Sequence, residues 1–287
     1  RDRGHDLAHV GPASSYHTNG GQKRNRFAQV GQGSRAEKRR RARNHAIRRL
    51  NTEIVLISTM GSTPVGRTLD ERGEPIPGSG FEIDPDGIVA ETLEKRTGPL
   101  LSNPVSREWV ADLEPPEDTG GEYHSALYLS AGAGPPEHYH VGYEETFEGI
   151  SGELTVLVDG TPRRVSAGES HTIPAETVHK PRYEGDTFAA AIGTVRPPGK
   201  TLQVIKTLFG LAHEGKLDDS GQPGFLQGMV LTEELADDTV FVSPPPTVTR
   251  PLATAVAPVA RRLGYRTTYS KYEDPNFWDR HVEQPSF

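Results

Sequence analysis

His138 and His140 sit two apart in the stretch GPPEHYHVGYEETFEGISGEL. In an extended strand, residues two apart share a face and lie roughly 6.6 Å apart along the chain. Both imidazoles can therefore reach one ion while Tyr139 points away. Glu144 and Glu145 follow within reach, and His179 comes after a second turn-rich stretch, AGESHTIPAETVH. Imidazole and carboxylate together suit a divalent ion such as Fe, Mn, Ni or Zn. Which glutamate joins the set depends on the backbone. An unbroken strand puts Glu144 on the face of His140 and turns Glu148 inward, a costly place for a charge without a partner. A bend at Val141-Gly142-Tyr143 instead turns Glu145 inward beside Phe147 and leaves Thr146 and Glu148 in water. The second arrangement fits the apolar pattern better.

The elements around these residues read as short strands. From Trp109 onward, alternating runs recur with turn signals between them: EYHSALYLSAG, ELTVLVDGTPRRVSAGES, HTIPAETVH and DTFAAAIGTV. Spacing of this kind, roughly 8–12 residues, marks a β-sandwich or barrel. Asp159-Gly160 between two alternating runs is a hairpin turn. After Pro197-Pro198 the period changes. In KTLQVIKTLFGLAHEGKL, Leu202, Ile205, Leu208, Phe209 and Ala212 form one helical face. A second helical stretch, PLATAVAPVARRLGY, follows Pro244-Pro245-Pro246. The spacing predicts helices over 200–214 and 250–263 and a short one over Ile88–Lys95.

Composition narrows the function classes. The 287 residues include no Cys, which excludes disulfides, Cys-based zinc sites and thiol nucleophiles. Residues 1–50 carry 13 Lys/Arg against 3 Asp/Glu, whereas the remainder carries 19 against 36. An acidic body is not an expected partner of nucleic acid; Lys38–Arg43 is the basic patch. Residues 1–50 have no apolar face to bury, and residues 1–60 are expected to be a basic tail without a fold of its own. No window holds the ~18 consecutive apolar residues of a membrane span, so neither a membrane partner nor a membrane location is expected, and a cytoplasmic one is. No dinucleotide fingerprint, P-loop or GxSxG motif is present.

The two histidine-bearing stretches together resemble the motifs of the cupin superfamily. Its first motif reads here as Gly132, His138, His140, Glu145 and Gly152, with every spacing met. Its second reads as Gly168, Pro174, Glu176 in a glycine place, His179, and Tyr183 in an asparagine place. The resemblance implies a mainly β fold: a double-stranded β-helix, or jelly-roll, over 105–197. An N-terminal arm over 61–104 and a C-terminal helical extension over 198–287 would flank it. It implies one divalent metal held by His138, His140, Glu145 and His179, which agrees with the bend above and leaves two of six octahedral positions open. Its members include dioxygenases, decarboxylases, isomerases and binders. Two functions follow: a metal-dependent, dioxygenase-like enzyme or isomerase acting on a small oxygenated organic molecule, or a non-catalytic binder of a small ligand. No catalytic residue beyond the ligands, and no organic cofactor, is assigned. Barrels of this kind expose an apolar sheet face, which leads to a homodimer through the arm or the C-terminal helices. His124 and His171 are candidates for orienting the ligands, and Tyr123, Tyr128 and Tyr183 for lining a pocket; ordinary packing is the expectation for all five. Glu176 should carry backbone strain where a glycine is usual. Gly149, where a bulky apolar residue is usual, should loosen the barrel wall or enlarge the cavity.

Overall fold

The computed structural model describes residues 61–114 and 121–286. Expectations for residues 1–60 lie outside the described residues. Two antiparallel sheets hold the fold. The six-stranded sheet contains β3 (Leu101–Asn103), β4 (Glu108–Glu114), β5 (Tyr123–Ser130), β7 (Glu144–Ser151), β10 (Ser170–Ile173) and β12 (Phe188–Arg196), in the order β10-β7-β12-β5-β4-β3. The five-stranded sheet contains β6 (His138–His140), β8 (Glu153–Val158), β9 (Thr161–Ser166), β11 (His179–Arg182) and β13 (Thr239–Phe241), in the order β13-β6-β11-β8-β9. This is the jelly-roll expected from the sequence. The sheets also recruit β3 and β13 from outside 105–197.

Alternation sets which side chains meet. Leu129, Phe147, Leu154, Val156, Ile173 and Ala191 point between the sheets and form one buried cluster. The β8–β9 hairpin turns at Asp159 and Gly160, with φ of 47° and 74°. Two successive positive φ values match the twist of the flanking strands, which is why Asp-Gly serves there.

The other face of the six-stranded sheet is covered by the arm. Thr63–Val65 (β1) pairs with Phe81–Ile83 (β2), and Ile88–Glu94 (α1) follows close to the predicted limits. Val65, Phe81, Ile83 and Leu93 pack on Trp109 and Tyr128. Each fully buried side chain of this size contributes about 1.5–3 kcal/mol. The Trp109 indole N–H donates to the Gly66 carbonyl at 2.7 Å. Residues near the C-terminus hold the arm in place: Arg67 donates twice to Glu283, at 2.6 Å each, and Thr68 bridges to Val282. The apolar face on which the dimer expectation rested is therefore covered within one chain.

The C-terminal helices are α2 (Thr201–His213), α3 (Phe225–Glu234), α4 (Pro246–Arg262), α5 (Ser270–Glu273) and α6 (Pro275–His281). α4 starts four residues before the predicted limit because Pro246 occupies the first turn, where a missing N–H costs nothing. Leu202, Ile205, Leu208 and Phe209 of α2 pack toward Leu101 and Val110, as their spacing predicts. No helix among the described residues is long and apolar enough to cross a membrane.

Candidate metal centre

Three strands and one bend bring the ligand candidates together. His138 and His140 lie on β6, buried with Tyr139 turned away. β11 pairs beside it with His179 opposite His138, so the three rings share one face. Their centroids are 4.4–5.0 Å apart. The backbone bends at Val141-Gly142 before β7 begins. Beyond the bend Glu145 faces inward with Phe147, while Glu144 and Glu148 are exposed. Oε2 of Glu145 lies 2.9 Å from Nε2 of His179 and 3.2 Å from Nε2 of His140. One ligand atom from each of His138, His140, Glu145 and His179 fits within 4.8 Å of the others, a group that can hold one cation.

Hydrogen bonding fixes which nitrogen faces inward. Nδ1 of His138 lies 2.9 Å from the Pro136 carbonyl, and Nδ1 of His179 lies 2.9 Å from the Thr177 carbonyl. A carbonyl only accepts, so both Nδ1 atoms carry the proton. Nδ1 of His140 meets the Thr239 hydroxyl at 3.2 Å, and that hydroxyl in turn donates to Asp238. In the neutral rings, the inward Nε2 atoms are then lone pairs facing a carboxylate. Two acceptors 2.9 Å apart repel unless a proton or a cation stands between them. At 1–14% side-chain exposure for His140, Glu145 and His179, water cannot do this screening. The donor set therefore fits a divalent ion.

Without a cation, a proton can take its place between ring and carboxylate. Burial drives His138 down to about 3, helped by the neighbouring His179 and His140. Burial opposes charge on Glu145, but hydrogen bonds from His140 and His179 outweigh it and hold the carboxyl well below its usual range. Burial likewise opposes charge on His179, and Glu145 reverses this, leaving that ring more basic than usual.

Further residues support the cluster. Tyr143 stacks on His140 at 4.2 Å, and its hydroxyl lies 2.7 Å from that of Thr239. Glu176 takes the left-handed backbone, φ 63°, as its glycine place demands. The cost is about 1 kcal/mol, and its N–H donates to the His140 carbonyl at 2.6 Å. Gly149 corrects an expectation: it does not loosen the wall. A Cβ there would stand 2.3 Å from the Ser166 carbonyl oxygen. Gly149 also accepts from Gly168 N–H and donates to Glu169, both at 2.9 Å. Glycine is what allows this close approach. His124 meets Glu122, and His171 lies across from Phe147, outside the four-residue group. Tyr123 donates to Asp112 and Tyr128 packs under the arm. Tyr183 bonds Thr187, so the three tyrosines serve packing.

The cluster opens into a cavity of about 770 Å³. His138, His140 and Glu145 line one part, and Val204, Leu208 and Phe209 of α2 line another. The sequence reading missed this roof and missed Thr239. A faint signal existed in TVFV at 239–242, a short alternating run after a helical stretch.

Residues 127–195 match the family model described as Cupin domain. Residues 127–195 are thus a cupin domain within this chain, as the two histidine-bearing motifs implied. Quercetin 2,3-dioxygenase of Bacillus subtilis (strain 168) is 30% identical over 139 residues, or 46% of this chain. The chain spans 38% of the length of that curated relative. Among solved structures, the Cupin_2 domain of an XRE family transcriptional regulator from Enterobacter cloacae is 24% identical. That likeness covers 32% of this chain and 97% of that one, with a TM-score of 0.30. A predicted oxalate decarboxylase from Thermotoga maritima is 19% identical over 37% of this chain and 96% of that one, with a TM-score of 0.33.

Proposed function

We propose that this chain is a metal-dependent cupin enzyme, of the dioxygenase kind, that acts on a small oxygenated organic molecule. The observation that carries the reading is the lone-pair arrangement of His138, His140, Glu145 and His179 at the wall of a roofed cavity. These four side chains would hold the ion. The ion would supply Lewis acidity and, if it is iron, access to oxygen chemistry. The rest of the work belongs to the chain. Thr239 and the Pro136 and Thr177 carbonyls orient the imidazoles. Phe147, Leu154 and the α2 residues exclude water around a bound molecule. The dioxygenase relative supports the reaction class.

A second reading, a non-catalytic binder of a small ligand, is favoured by the mainly apolar cavity lining. Elemental analysis combined with oxygen consumption against diols, phenols and β-diketones separates the two. Iron with substrate-dependent oxygen uptake supports the enzyme. Bound metal without uptake supports the binder. No divalent ion retained after supply of Fe, Mn, Ni and Zn overturns the enzyme and favours the binder.

A homodimer belongs to the same proposal. Val248, Leu252 and Val259 are exposed on α4, with Leu263 at its end. Their spacing places them on one side of the helix. Light scattering should give a dimer that Leu252→Lys dissociates; a wild-type monomer at micromolar concentration ends the idea.

A further inference from the structure

Glu108 is a buried acidic residue of the cavity wall that the metal centre does not use. It sits on β4, opposite Leu129 of β5, and is only 7% exposed. β4 is three strands from β7 in the sheet, and Glu108 stands outside the four-residue group. Its side chain lines the same cavity as His138, His140 and Glu145.

The two carboxyl oxygens are in different situations. Oε2 accepts from the Ser106 hydroxyl at 2.8 Å. Ser106 is itself held, because the Asn103 side chain accepts from the Val105 and Ser106 amides. This fixes the orientation of the carboxyl. Oε1 is buried and has no hydrogen-bond partner among the described residues. Buried polar atoms are nearly always paired, so an oriented oxygen left open calls for a partner that arrives from outside. Burial pushes the carboxyl up to about 7, opposed by Ser106, the Gly134 amide and the charge of Lys180. At neutral pH the group is therefore present both as acid and as anion.

We infer that Glu108 is a ligand-binding residue, and that its open Oε1 recognises a hydroxyl group on the far end of a mainly apolar ligand whose near end lies at the metal centre. A hydroxyl matches both forms, accepting from the acid and donating to the carboxylate. A ligand carboxylate would be repelled by the anionic form. A bare hydrocarbon end would leave Oε1 unpaired and lose affinity. The intervening wall, with Leu127, Leu129 and Phe147, suits an apolar body between the two polar ends. This deepens the proposed function and rests on it for the near end alone.

The test uses two probes that differ at the far end, phenylcatechol and hydroxyphenylcatechol. Each is titrated calorimetrically, under nitrogen, into the full chain with and without metal. The metal-loaded wild type should prefer hydroxyphenylcatechol by about tenfold or more, the scale at which a site built for a hydroxyl rejects its absence. Glu108→Leu should erase the preference and keep phenylcatechol affinity. Glu108→Ala serves the same purpose if the leucine is not accommodated. Equal affinity for the two probes in the wild type, or a preference that survives in both variants, overturns the role of Glu108. A preference that stays when metal removal leaves both affinities unchanged supports Glu108 and overturns the metal reading. Failure of both probes to bind overturns both.

Discussion

The barrel strands and the C-terminal segment build different parts of one cavity, and they do so by different means. On the barrel side the chemistry is concentrated between positions 138 and 179, and each ligand candidate is aimed by its own strand or bend. On the C-terminal side, α2 contributes an apolar roof and β13 contributes one hydroxyl, that of Thr239, behind His140. The first region supplies the groups proposed to hold a cation. The second supplies what holds those groups still and keeps water out. The difference teaches that a site can be nearly complete in a short stretch of chain and still depend on residues a hundred positions away for its geometry.

The strongest way to break the comparison is to remove ligands. His140→Ala and Glu145→Ala should lose more metal affinity than the roughly 10–100-fold that loss of a supporting group costs. Glu144→Ala, whose side chain is exposed, should keep it. Equal loss from the two glutamate variants, read by elemental analysis after dialysis, would refute the inward placement of Glu145.

A second test strikes the barrel alone. Gly149→Ala forces a Cβ against the Ser166 backbone, and overpacking of this kind should cost about 2–4 kcal/mol in urea denaturation. An unchanged midpoint would mean that β7 and the β9 end can part freely.

Glu108 gives the pH dependence. Its usual value of 4.5 is raised by burial to about 7 in the folded chain. A raised carboxyl stabilises the fold below the unfolded value, and that contribution fades as pH rises through the folded one. Between pH 4.5 and pH 8 the wild type should lose on the order of 2–3 kcal/mol relative to Glu108→Gln. A difference that does not change with pH, or changes in the opposite sense, contradicts the buried acid.

The smallest effect sharpens the division itself. Thr239→Val removes the oxygen behind His140 with little change of shape, so metal affinity should fall about tenfold while the melting temperature barely moves. A loss as large as that of His140→Ala would make the C-terminal segment part of the primary site. No loss would reduce it to a roof.

Much of this was legible in the sequence because it is local. Alternation, turn residues and the spacing of His138, His140, Glu145 and His179 encode strands and faces within short windows, and Asp159-Gly160 encodes its own turn. The predicted strain at Glu176 followed from one backbone position. What stayed hidden depends on distant partners. Gly149 looked like a missing side chain until the backbone of Ser166 occupied its space. Thr239 could not be paired with His140 by any period of the chain, since only β-pairing brings them together. The arm's place on Trp109 and Tyr128, and the helix at Phe225–Glu234, likewise come from packing rather than from local pattern.

The pairing of β13 with β6 has one more consequence, for solubility. β6 is three residues long and carries two of the four clustered side chains. Thr239 and Phe241 pair with His140 and His138, so β6 has a neighbour on each side. The opposite border of that sheet, β9, exposes Arg163 and Arg164, charges that discourage another chain from docking. Without residues 239–241, the histidine strand itself would be the border, with unpaired N–H and C=O groups and no charge on it. A chain severed between the barrel and β13 should therefore aggregate edge to edge through the very strand that holds the histidines.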